Sequence, residues 1–212
     1  MRNYFITFEG LDGAGKGTQI KNLIENIQNG KNNIFGNKYT NIWLTREPTK
    51  VTESGKEISE AIKKGVDGIT ASKLFVQDRI EHSKLIKDIL NHSYVICDRY
   101  DISTLGYQMT QGIEFETLYN MHKYGEDFGT LIPDITIFLK ISAKKAYERI
   151  ISRGEDLESY EKIDFLEKLE MNYIAIIEDL KKRGRKLIEI NAEQTPQEVS
   201  LDILKKLGEI QI

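Results

Sequence analysis

The chain has 212 residues, 40% of them hydrophobic, enough to bury a core as a single domain over 1–212. Its net charge of −3 excludes a broad basic field for nucleic acid, so an anionic ligand must be met by a local cluster of charge; no run reaches membrane-spanning length and no apolar signal segment is expected. Cys97 is the single cysteine, which excludes an intrachain disulfide, and the sum points to a cytoplasmic protein working on small phosphorylated molecules.

Tyr4, Phe5, Ile6, Thr7 and Phe8 form a nearly continuous β-rich run that fits a strand covered on both faces, ending at Glu9. Gly10, Gly13, Gly15 and Lys16 follow with the spacing G-x-x-x-x-G-K, and Ile20, Leu23, Ile24 and Ile27 at once begin a helical pattern. Strand, glycine-rich turn and helix together make a phosphate loop. Residues without Cβ let backbone amides wrap an anion, the helix start adds its positive end, and Lys16 supplies a mobile charge. Gly17 stands where a metal-holding hydroxyl is usual, and Thr18 carries the hydroxyl one place later. A magnesium ion held mainly by nucleotide phosphates and waters suits that arrangement.

Residues 29–41, rich in Asn, Gly and Lys, read as a loop. Ile42, Trp43 and Leu44 predict a second strand, after which Arg46 falls where α/β folds bind ligands and Pro48 turns the backbone away from helix. Helical character runs from Glu53 to Lys64, and a long amphipathic pattern runs from about Thr70 to Asn91. Within it, Phe75 and Arg79 share a face; spacing alone favours a core Phe beside a surface Arg.

Tyr94 to Cys97 predicts a third strand, with Cys97 as a small core residue, followed directly by Asp98-Arg99-Tyr100. Asp98 can accept hydrogen bonds from a metal's waters and Arg99 can fork onto a phosphate, although the two can equally form a structural pair. Ser103 and Tyr107 lie one helical turn apart, with Gln108 beside them, and can line a pocket for a sugar or base. The three histidines, His82, His92 and His122, have no metal-ligand spacing. After a helix over Glu114 to Phe128, Ile135 to Leu139 predicts a fourth strand and Ser142 an N-cap for a helix from Ala143 to Arg153, stopped by Gly154. Arg149 and Arg153 stack on one face of that helix, where its C-terminal dipole also favours cations. The polar segment Glu155 to Lys162 reads as part of a lid, about 149–162.

A helix from Ile163 to Lys182 ends in a basic run, Lys181 to Lys186, that reads as a solvated terminus. Leu187 to Ile190 predicts a fifth strand, and Thr195-Pro196-Gln197-Glu198 combines N-cap, first-turn proline and capping box before the last helix. The expected fold class is therefore α/β, a five-stranded parallel sheet with helices on both faces. A phosphate loop says only that a nucleotide binds. Four arginines after strands or beside the lid, Arg46, Arg99, Arg149 and Arg153, argue for phosphoryl transfer, whose barrier lies in bringing polyanions together and stabilising charge.

The ordered motifs FEGLDGAGKGTQ, TREP, LFVQDRIEH, DRYDISTLGYQ, PDITIFL and ERIISRG resemble those of the thymidylate kinases, across nearly the whole chain. The resemblance implies an ATP- and Mg²⁺-dependent enzyme that makes dTDP from dTMP, active as a homodimer. It implies that Gly10, Leu11, Asp12, Gly13, Ala14, Gly15, Lys16, Gly17 and Thr18 bind ATP. Lys16 would act on the transferring group, with Asp12 near the deoxyribose 3′-hydroxyl and metal. Arg46 and Arg99 would grip the acceptor phosphate, with Asp98 supporting the metal's waters and Thr18 a second candidate. Phe75 would stack on thymine, Arg79, Ser103 and Gln108 would read the base, Tyr107 would pack on the sugar, and Arg149 and Arg153 would close over ATP. The chain departs from the family at Gly17, at Thr49-Lys50, at Glu158-Ser159 and at Ile151, which thins the lid's charge. A monophosphate kinase of other base preference and a catalytically weak nucleotide-binding regulatory protein are the alternatives.

Overall fold

A computed structural model describes residues 3–29, 41–154 and 159–210; most of the 29–41 loop and the Glu158-Ser159 departure lie outside the described positions and side chains. Five strands alternate with helices among the described residues: β1 (Phe5–Glu9), β2 (Ile42–Arg46), β3 (Tyr94–Asp98), β4 (Ile135–Lys140) and β5 (Leu187–Asn191). All pair in parallel, in the order β2-β3-β1-β4-β5, so β1 and its loop lie at the centre. The helices are α1 (Lys16–Gln28), α2 (Glu53–Lys63), α3 (Gly68–Ile89), α4 (Asp101–Thr110), α5 (Phe115–Asp127), α6 (Ala143–Ile151), α7 (Ile163–Lys182) and α8 (Pro196–Glu209).

Alternation along the strands divides the core between two faces. Phe5, Val95 and Cys97 pack with Ile86 of α3 and with Tyr100. Ile6, Phe8, Ile96 and Ile137 belong to the larger cluster that includes Ile20 and Leu23 of α1 and Val199 and Ile203 of α8. Each such fully buried aliphatic side chain contributes on the order of 1.5–3 kcal/mol. Because both faces of the central strands β1, β3 and β4 are covered, these read as nearly continuous apolar runs, and within them Thr7 donates to Thr136 across the sheet at 3.0 Å.

The caps explain the helix boundaries. Thr195 and Glu198 form the expected capping box. Thr52 and Asp67 begin α2 and α3 by accepting the N–H of Gly55 and Thr70. Ser142 sits at the N-cap of α6 without capping it: its hydroxyl donates to Glu193, and Glu170 of α7 accepts the N–H of Ala143 instead. A charged acceptor at a helix's positive end outbids a hydroxyl, and tertiary packing delivers two of them. The basic run that closes α7 is exposed at Lys182 and Lys186, while Arg183 lies over the Tyr119 ring and Arg185 pairs with Asp101.

Candidate functional site

The carboxyl ends of β1, β2 and β3 bring the phosphate loop, Arg46, Asp98 and Arg99 to one edge of the sheet, where the order departs on either side of β1. The phosphate loop, residues 10–15, joins β1 to α1. Gly10 has φ 140° and a Cβ there would stand 2.6 Å from the Leu139 carbonyl oxygen; at Gly13, φ 81°, it would stand 2.5 Å from that of Ala146. Only glycine fits a left-handed turn pressed against two other elements. Lys16 is buried, its ammonium donating to the carbonyls of Gly10 at 3.0 Å and Leu11 at 2.9 Å. Burial, with Arg99 nearby, lowers its pKa to about 8, so a phosphate that replaces these carbonyls restores the charge's value.

On one side of the loop lies a cavity of about 260 Å³ whose lining includes Asp12, Arg46, Phe75, Arg99, Ser103, Tyr107 and Gln108, seven of the residues singled out from sequence. Its walls are braced by hydrogen bonds. Arg99 donates to Asp12, and Tyr107 donates to the other Asp12 oxygen at 2.5 Å while its ring centroid lies 5.3 Å from the guanidinium. Burial opposes the Asp12 charge, but Arg99 and Lys16 hold its carboxyl well below the usual range. Gln108 is buried and its amide oxygen has no partner within the protein. Phe75 is half-buried on the wall.

Arg79 is a correction to the spacing argument, which favours a surface cation. Its side chain is 1% exposed, behind the cavity wall, donating to Glu47 at 2.8 Å and Thr104 at 2.9 Å, 4.8 Å from the Tyr100 ring centroid. Glu47 also meets His82, whose other nitrogen is hydrogen-bonded to Thr45. A buried arginine requires a buried partner charge, and a helical repeat carries no sign of one lying 32 residues away. Arg79 Nη1 remains buried without a partner. Ser103 is likewise committed, donating to Glu9 at 2.5 Å and accepting from Arg99 at 3.1 Å.

On the loop's other side, a groove of about 300 Å³ is lined by Gly13, Ala14, Gly15, Thr18, Arg149 and Arg153 together with Gln19, Ala192 and Pro196. Arg149 donates to the carbonyls of Ala192 at 2.8 Å and Gly13 at 3.4 Å, and Arg153 is exposed. The helix α6 ends at Ile151, two residues short of the expected Arg153, so it carries Arg149 alone and Arg153 follows its C-cap. Gly17 faces a third cavity with Arg46, Thr45 and Asp98, whose Oδ1 is buried without a partner. Asp98 and Thr18 supply hard oxygens suited to Mg²⁺ or its waters, while no group of three or more His, Cys, Asp or Glu able to hold a metal occurs among the described residues.

Sequence reasoning passed over Glu9, Glu47, Thr104 and Tyr160. Tyr160, from the expected lid, packs its ring 5.7 Å from that of Tyr107 and reaches the first cavity. Only the aromatic character of Tyr160 in a mostly polar stretch signalled this.

A family model for thymidylate kinase matches residues 8–203 of the chain. A probable thymidylate kinase of Methanococcus aeolicus is 35% identical, over 97% of this chain and 96% of its own length. Proteins of the same description are 33% identical in Pyrococcus abyssi, covering 96% and 95%, and 35% identical in Methanosarcina mazei, covering 99% and 97%.

Proposed function

Because the chain belongs to the thymidylate kinase family, we propose that its two cavities hold dTMP and ATP on either side of the phosphate loop and that it transfers the γ-phosphoryl group to give dTDP and ADP. The observation that carries this reading is the division of the arginines. Arg46 and Arg99 line one cavity and Arg149 and Arg153 the other, while Lys16 opens α1 directly after the loop.

The acceptor's phosphate oxygen is already anionic, so no protein base is needed, and catalysis consists of holding two polyanions in line and stabilising the moving charge. Arg99 and Arg46 grip the acceptor phosphate, Phe75 stacks on thymine, and Gln108 offers hydrogen bonds toward the base, while Arg79, buried behind the wall, holds Glu47 and Thr104 that line it. Tyr107, fixed by Asp12, packs beside the deoxyribose. The loop amides and Lys16 hold the donor phosphates, and Arg149 and Arg153, in the lid over 149–162, supply the cations on the far side. Asp98 and Thr18 would support the water shell of a Mg²⁺ ion carried by the nucleotide, which would neutralise phosphate charge.

The protein works as one domain in the cytoplasm. The exposed apolar side chains Leu85, Tyr124, Phe128 and Ile132, on and beside α3 and α5, support a homodimer, which light scattering tests by giving twice the 24.4 kDa chain mass. The decisive assay measures ADP release from Mg·ATP with dTMP, dUMP, AMP, CMP, GMP or UMP, using Lys16→Ala as control. A strong preference for dTMP is expected. Preference for another monophosphate overturns the base-reading roles, and ATP binding without turnover replaces the enzyme with a regulatory nucleotide-binding protein.

A further inference from the structure

Glu9 closes β1 and is 0% exposed, lining neither nucleotide cavity. All its partners lie in the turn from β3 into α4. Its Oε1 accepts the N–H of Tyr100 at 2.8 Å and of Ser103 at 3.2 Å, and its Oε2 accepts the Ser103 hydroxyl at 2.5 Å. Tyr100 occupies the N-cap of α4 but gives no side-chain capping bond. The carboxylate of another strand therefore caps this helix, satisfying amides that would otherwise be orphaned at its positive end.

Between these contacts sits Arg99, the only non-glycine residue with positive φ among the described residues, at 67°. Side chains rarely accept that conformation, so the neighbours must impose it. The Arg99 N–H is held by the Phe8 carbonyl at 2.9 Å, and the next amide by Glu9. At the other end of the side chain, Arg99 Nη1 donates to Ser103 Oγ, whose own proton goes to Glu9. Glu9 thus restrains Arg99 at its backbone and at its guanidinium.

We infer that ionised Glu9 is a positioning residue for phosphoryl transfer, fixing the attitude in which Arg99 meets the acceptor phosphate through the α4 turn and the Ser103 hydroxyl. The inference rests on the kinase reading above. A carboxylate can accept all three hydrogens aimed at it; a carboxylic acid must donate one. Of its three partner atoms only Ser103 Oγ can receive it, which displaces the hydroxyl proton toward Arg99. Arg99 and Asp101 from the turn, Lys16 from α1, Cys97 from β3 and Tyr173 from α7 face this carboxyl. Burial pushes its pKa up to about 7, against the Ser103 hydrogen bond and with the help of Asp101, so both forms are populated near neutrality.

The test is the pH profile of kcat for dTMP-dependent ADP formation in the wild type and in Glu9→Gln. Glutamine can accept the two N–H groups but must donate to Ser103, so it reproduces the protonated arrangement. We expect kcat at pH 8 to fall on the order of 10- to 100-fold, as displacement of a transition-state cation does. KM for ATP should stay within about 3-fold. We also expect the wild type's rise in kcat through pH 7 to shrink to the part contributed by the substrates' phosphates, which is common to both proteins. Superimposable profiles overturn the inference, as does a lower kcat with the full rise intact. Should Glu9→Gln not fold, Ser103→Ala, which keeps both amide bonds to Glu9, carries the same expectations, and wild-type kcat in that variant overturns the inference. A wild type that makes no ADP with dTMP defeats the kinase reading itself.

Discussion

The two cavities that flank the phosphate loop, the proposed acceptor and donor sides, are built differently. On the acceptor side, apart from the exposed Arg46, charged and polar groups are bonded to one another inside the protein: Arg99 to Asp12, Arg79 to Glu47, Glu47 to His82, Tyr107 to Asp12. On the donor side, Arg149 rests on main-chain carbonyls and Arg153 is exposed. Prearranged dipoles and charges need no reorganisation when a ligand arrives, which is why the reading proposed above gives recognition of a particular monophosphate to the braced side. The proposed donor side offers a glycine-rich backbone, an exposed Arg153 and Arg149 held on main-chain carbonyls, which suits recognition of charge more than of shape.

If that contrast holds, Arg99→Ala should have the largest effect, lowering kcat/KM for dTMP on the order of 10³-fold or more in a coupled ADP assay. Glu47→Ala tests the bracing itself. It leaves buried Arg79 unpaired and should cost about 3–5 kcal/mol in urea denaturation, well beyond what an exposed ion pair such as Lys21–Glu25 contributes. Arg153→Ala, on the open side, should lower kcat on the order of 10²-fold while leaving the melting temperature unchanged, separating charge stabilisation from structure. Gly17→Ser should do least. A Cβ there meets nothing within 4 Å, so stability should stay within about 0.5 kcal/mol, and a kcat change of more than about 10-fold at fixed Mg²⁺ would mean that the added hydroxyl enters the metal's shell.

Much of this site was legible because its signals are local. The phosphate loop is a contiguous pattern whose glycines answer backbone demands at Gly10 and Gly13, and Arg46, Asp98 and Arg99 follow strands whose apolar runs announce them. Parallel order followed from strands separated by helices, since a crossover is needed to return the chain in the same direction. Arg79 was legible as a face-mate of Phe75 but not as a buried cation, because periodicity reports which residues share a face and says nothing of what lies opposite. Ser142 illustrates the same limit: its position as N-cap was readable, its loss of the capping bond to Glu193 and Glu170 was not.

By itself, then, the amino-acid sequence determined the five strands, their helices, the phosphate-loop turn and the family, because propensity, periodicity and glycine geometry act over a few residues at a time. Only the tertiary structure decided that Glu9 caps a helix 92 residues further on, that Glu47 neutralises Arg79, and that Ser103 joins Glu9 to Arg99. Those assignments turn on which buried charge finds which donor across the sheet, and burial and pairing exist only once the chain has closed.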